Sequence, residues 1–180
     1  MTGCIDRRQF LLVGGAGAVT MLLSELYPGR VFAQDESRRI QFAAYPRKKI
    51  GKLSDLVADT PLEFLYPDDG PHSISSLVKL GVPAGGGIGP AQDVVAFNSL
   101  CPHQGGLLRD NYDGTFKVAG PCPIHLSTFD LRRHGMVVAG HATQELPQVV
   151  LEADGDDIYA VGMTGLIYGY HDNTAFVRRS

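Results

Sequence analysis

The chain reads as an all-β protein, a sandwich or barrel, on three observations from its 180 residues. Beyond residue 40 the apolar residues come in short runs, none longer than four, of the kind that strands make. Clusters such as Pro67-Asp68-Asp69-Gly70, Asp113-Gly114 and Asp154-Gly155-Asp156 separate the runs and carry turn chemistry. No long stretch with a 3.6-residue apolar period appears in the body of the chain.

The N-terminus comes first and is not part of that body. Asp6-Arg7-Arg8-Gln9-Phe10-Leu11 resembles the twin-arginine export signal, a paired Arg followed by a polar residue, Phe and Leu. The apolar run Phe10 to Leu23 has fourteen residues, the length of a signal-peptide core and short for a membrane span. Val31-Phe32-Ala33 offers small residues for cleavage after Ala33. The expected organisation is a leader over 1–33 and one mature domain over 34–180. The resemblance implies export of the folded protein by the twin-arginine translocase to the periplasm. A leader retained as a membrane anchor is the alternative, against which Glu25 and Arg30 interrupt the apolar run. Gly14-Gly15-Ala16-Gly17 has no preceding strand, so it is not a dinucleotide fingerprint.

In the mature chain, strands are expected over Ile40–Ala44, Leu62–Tyr66, Ile74–Leu80, Val94–Asn98, Thr115–Val118, Met136–Ala139, Val149–Glu152, Ile158–Val161 and Leu166–Tyr168. A short helix fits Lys52–Val57. Gly81–Pro90 is a Gly-rich loop without the Lys-Ser/Thr of a phosphate loop. Arg38-Arg39 and Arg47-Lys48-Lys49 read as solvated surface, with docking to a partner as the second reading. A hydrophobic content of 44% suits a core but not a membrane bundle, and a net charge of −3 gives no sign of nucleic-acid binding. There is no Ser/His/Asp nucleophile arrangement and no carboxylate pair suited to acid–base work, so no catalytic residue is assigned.

The chemistry is concentrated in Cys101-Pro102-His103-Gln104-Gly105-Gly106 and Cys122-Pro123-Ile124-His125-Leu126-Ser127-Thr128-Phe129-Asp130. Eighteen residues separate His103 from Cys122. The third cysteine, Cys4, lies in the leader, which leaves no pair for a structural disulfide. Two Cys and two His are a common zinc set. Zinc fingers, however, present Cys-x2-4-Cys followed by His-x3-5-His, whereas each loop here mixes the two ligand types. That mixture suits a [2Fe–2S] cluster with two Cys on one iron and two His on the other.

These loops resemble the Rieske iron–sulfur family. Leu62-Glu63-Phe64-Leu65-Tyr66-Pro67-Asp68, Leu77-Val78-Lys79-Leu80-Gly81, Gly85-Gly86-Gly87-Ile88-Gly89-Pro90, Asp93-Val94-Val95-Ala96-Phe97, Glu145-Leu146-Pro147-Gln148 and Gly165-Leu166-Ile167-Tyr168-Gly169 extend the likeness. Over nearly its whole length the chain is similar to the small subunits of arsenite oxidases. The resemblance implies a Rieske-type β sandwich or barrel with a cluster-binding subdomain at about 97–140. It implies that Cys101 and Cys122 hold one iron, that His103 and His125 hold the other through Nδ1, and that Ser127 donates a hydrogen bond to a cluster sulfur. High-potential members carry a Tyr where this chain has Phe129, so one donor is missing and a lower potential is expected. Many members carry a disulfide between the positions of Gly106 and Ile124, which is absent here.

The function so implied is electron transfer within a periplasmic molybdopterin oxidoreductase. A large molybdopterin catalytic subunit, which would hold the substrate site, oxidises arsenite and passes electrons through this chain to a cytochrome c or azurin. The alternatives are the Rieske subunit of a related oxyanion enzyme, such as an iodate reductase with electrons running inward, or of a quinol–cytochrome c oxidoreductase. The latter would need a membrane anchor. A dioxygenase ferredoxin would be cytoplasmic, against the leader. His72, His134, His141 and His171 read as surface or structural residues, with His134 and His141 close enough in sequence to the second loop to lie near the cluster.

Overall fold

The computed structural model describes residues 44–174. The leader and the strand expected at 40–44, apart from its last residue, therefore lie outside the described residues. The strands are β1 (Lys48–Lys52), β2 (Leu62–Leu65), β3 (Ile74–Lys79), β4 (Val94–Asn98), β5 (Tyr112–Asp113), β6 (Val118–Ala119), β7 (Thr128–Asp130), β8 (Met136–Ala139), β9 (Gln148–Asp154) and β10 (Asp157–Thr164). The only helical turns among the described residues are 3-10 turns at Leu53–Asp55 and Leu131–Arg133. The all-β expectation is met.

The strands form a six-stranded sheet, ordered β1-β10-β9-β4-β3-β2, and a four-stranded sheet, β5-β6-β7-β8. Every strand pairing is antiparallel. The smaller sheet is contiguous in sequence and lies between β4 and β9 of the larger one. It is thus an insertion that carries both Cys/His loops.

Strand periodicity explains the two cores. Side chains on a strand alternate between faces. Leu77, Val94 and Ala96 pack with Val149, Leu151, Ile158 and Ile167 on one face of the large sheet. Val78, Val95 and Phe97 point the other way and pack with Ala119, Phe129, Leu131 and Leu146. Strand β4 is buried along its whole length because it serves both cores, which is why Val94 to Phe97 reads as an unbroken apolar run.

Three sequence expectations are corrected. Leu166–Tyr168 is no strand; the chain turns there, with Tyr170 N–H donating to the Ile167 carbonyl at 3.1 Å. Thr115 and Phe116 form a turn because their N–H groups donate to Asp113 Oδ1 at 2.8 and 3.1 Å, and β6 starts only at Val118. The helix over Lys52–Val57 shrinks to a single 3-10 turn, held by the Asp156 carboxylate through the Ser54 amide and hydroxyl. The basic run at 47–49 stays at the surface, as its sequence reading has it, and leads into an edge strand. There Lys49 pairs with Asp157 at 2.7 Å, Lys48 with Asp69 at 3.1 Å, and Arg47 lies over the Tyr159 ring. Charge on an edge strand discourages pairing with other chains.

Candidate metal centre

Asn98 aims the first loop. It ends β4 and is fully buried, with Nδ2 donating to the His72 and Ile74 carbonyls while Oδ1 accepts from Leu100 N–H at 3.0 Å. The backbone then turns tightly. Cys101 N–H donates to the Gly106 carbonyl and Gly105 N–H to the Cys101 carbonyl, both at 2.8 Å.

The second loop repeats this design. Cys122 N–H donates to the Ser127 carbonyl at 2.8 Å and Leu126 N–H to the Cys122 carbonyl at 2.9 Å. In each loop the bonds join the cysteine to the fourth and fifth residues after it, and a proline follows the cysteine. The fourth residue is left-handed in both, Gly105 at φ 71° and Leu126 at φ 60°. Leucine in that region costs about 1–2 kcal/mol, so the second loop holds strain that the first avoids. Pro102 and Pro123 match in the two loops, but the histidine stands two residues after the cysteine in one and three in the other.

The loops meet with like donors together. Cys101 and Cys122 are buried and free, and their thiols lie within hydrogen-bonding reach of each other. Burial, then the Cys122 thiol, pushes the Cys101 thiol above its ordinary value, while N–H donors from His103 and Gln104 hold it down. The His103 and His125 rings are 4.7 Å apart at 71°. A Cβ on Gly106 would stand 2.5 Å from Cys122 Sγ and 3.1 Å from the Ile124 side chain. Only glycine lets the first loop come so close to the second.

Two observations test whether a cluster fits. His125 Nδ1 is buried and has no hydrogen-bond partner, as expected of a nitrogen reserved for a metal. Among the described residues no three His, Cys, Asp or Glu side chains gather as a single metal ion would need. The donors come as a thiol pair and an imidazole pair, which suits two irons better than one zinc.

The remaining sequence-predicted residues separate. Ser127 is fully buried, and its Oγ accepts from the N–H groups of His141 and Ala142 at 3.1 and 3.0 Å, which leaves the hydroxyl proton for another acceptor. Phe129 is fully buried in the same core as both cysteines. His141 lies 5.9 Å from both His103 and His125, ring to ring. His134 instead turns away to Gln148 Oε1 at 2.8 Å. His72 packs edge-on to Tyr170, and His171 is exposed. Sequence reasoning missed Tyr168, whose ring lies where a Gly105 side chain would be. It also missed Asn98; a polar Asn closing the apolar run Val94 to Phe97, just before the first loop, was its available signal.

Residues 77–150 match the model of the Rieske [2Fe-2S] domain. The chain is 55% identical over 172 residues to iodate reductase subunit IdrB of Denitromonas iodatirespirans, covering 96% of this chain and 88% of that protein. It is 50% identical over 167 residues to the subunit of the same name from Pseudomonas sp. (strain SCT), covering 93% and 83%. Its fold is similar to the soluble domain of Rieske protein II from Sulfolobus acidocaldarius, with a TM-score of 0.62 at 23% identity over 76% of this chain and 88% of that one.

Proposed function

The chain belongs to the Rieske [2Fe-2S] family, and from that premise we propose that it is the electron-transfer subunit of an oxyanion reductase, with iodate as the oxyanion. The observation that carries the choice of oxyanion is the near full-length likeness to two proteins named as iodate reductase subunits. Both of these relatives carry the iodate name, so the iodate alternative takes the place of the arsenite expectation. Iodate reduction consumes electrons. Flow therefore runs from a soluble carrier, a cytochrome c or an azurin-like protein, through this chain to a large molybdopterin catalytic subunit. We propose further that residues 1–33 take the folded protein to the periplasm.

In this reading Cys101 and Cys122 hold one iron and His103 and His125 the other. When bound, the cluster takes up and releases one electron at a time, in a range of roughly −150 to +300 mV for this ligand type. The chain's own residues do the rest. The buried cysteines keep the sulfur side of the site dry. The His103 and Gln104 amides donate to Cys101 Sγ and stabilise charge there. The partly exposed imidazoles give the site its outward face. Ser127 has a hydroxyl proton free to stabilise the reduced site, and Phe129 supplies none.

The test is made on the purified complex. Iodate added to the pre-reduced complex is expected to abolish the Rieske electron paramagnetic resonance signal, and arsenite added to the oxidised complex to produce none. The opposite pair of results would return the assignment to arsenite.

A further inference from the structure

We propose that His141 is a positioning residue, a ring clamp that fixes the planes of His103 and His125 across the gap between the two loops. The inference rests on the Rieske reading of those histidines and adds a residue to it. His141 lies outside both loops, after β8. Its ring stacks on His103 at 5.9 Å and 21° and meets His125 edge-on at 5.9 Å and 74°. With His103 and His125 at 4.7 Å, each of the three rings lies within 5.9 Å of the other two, centroid to centroid.

The placement is built from below. Buried Ser127 Oγ receives the N–H groups of both His141 and Ala142, and so ties this segment to the second loop two residues after His125. Both cysteines are free, so among the described residues no disulfide joins the loops. His103 and His125 come from different loops, and their relative orientation depends on what packs against them. An exposed histidine has solvent available to it. This one lies against both rings, in the stacked and edge-on geometries that aromatic pairs favour.

The experiment compares His141→Ala and His141→Phe with the wild-type complex. It reads the resonance line shape of the reduced cluster and the lifetime of its visible absorption in air. His141→Ala is expected to broaden or shift the signal and to shorten the lifetime roughly five- to tenfold, as losing aromatic contacts would. His141→Phe keeps a stacked ring and is expected to restore both. An alanine variant indistinguishable from wild type overturns the clamp, and so does a phenylalanine variant no better than alanine. If His141→Ala loses the cluster altogether, recovery in His141→Phe supports the clamp and continued loss overturns it. A wild-type complex without a Rieske signal would overturn the ligand assignment itself, and the clamp with it.

Discussion

Ser127 Oγ accepts two backbone N–H groups while fully buried. Removing the hydroxyl leaves those donors short of an acceptor, at a cost of about 1–3 kcal/mol. Ser127→Ala is expected to lower both the melting temperature and the reduction potential of the complex, read by thermal unfolding and by potentiometric titration. A lower melting temperature at constant potential would make Ser127 a structural residue alone. Phe129→Tyr places a hydroxyl in the core that holds both cysteines. It is expected to raise the potential, and an unchanged or lower value would remove Phe129 from the surroundings of the cluster. Gly106→Ala puts a methyl group 2.5 Å from Cys122 Sγ. Iron and sulfide per protein should fall well below the wild-type content, and full occupancy would contradict the close approach of the loops. At this scale much was legible from residue types alone, because thiolates and imidazoles are scarce and their spacing is chemical. Leu126 was not. Its left-handed backbone is set by a hydrogen-bond pattern that no residue preference announces.

Among the elements, the turn after β7 carries a pH dependence. Asp130 ends β7 and accepts from the Arg132 side chain and backbone N–H at 2.9 Å. The Arg132 bond chiefly holds its carboxyl below the ordinary carboxylate range, against burial. A folded value below the unfolded one means that ionised Asp130 stabilises the fold. That stability is complete above the ordinary pKa of about 3.9 and fades as pH falls through the folded value. The melting temperature should therefore drop more steeply on acidification in the wild type than in Asp130→Asn, and parallel curves would contradict this. The missed strands show where pattern reading stops. Strand β1 is Lys-Lys-Ile-Gly-Lys, without clean apolar alternation, and owes its place to pairing with β10. Strand β7 follows directly on the second loop and has only three residues. Leu166–Tyr168 is apolar and partly buried, yet hydrophobicity alone does not distinguish a strand from a packed turn.

At the largest scale the described residues form one large sheet with a smaller sheet inserted between two of its strands, and the two cores divide the work. Phe97 belongs to the core shared with Cys101 and Cys122, and Ile158 to the opposite one. Phe97→Ala and Ile158→Ala should each lower stability by about 2–5 kcal/mol. Only the first should also lower cluster content per folded molecule, as judged by absorption against circular dichroism. Equal losses would show that the cores do not act separately. The all-β class was legible because short runs and turn clusters recur along the chain. The oxyanion was not, because these loops handle electrons and give no surface that reads as an oxyanion site. The most direct test of the centre is pulsed electron paramagnetic resonance of the reduced complex. Coupling of a [2Fe–2S] spin to two histidine nitrogens, reduced in His103→Ala and in His125→Ala, is the expected result. A silent sample containing zinc, or a cluster spin without histidine nitrogen, would contradict it.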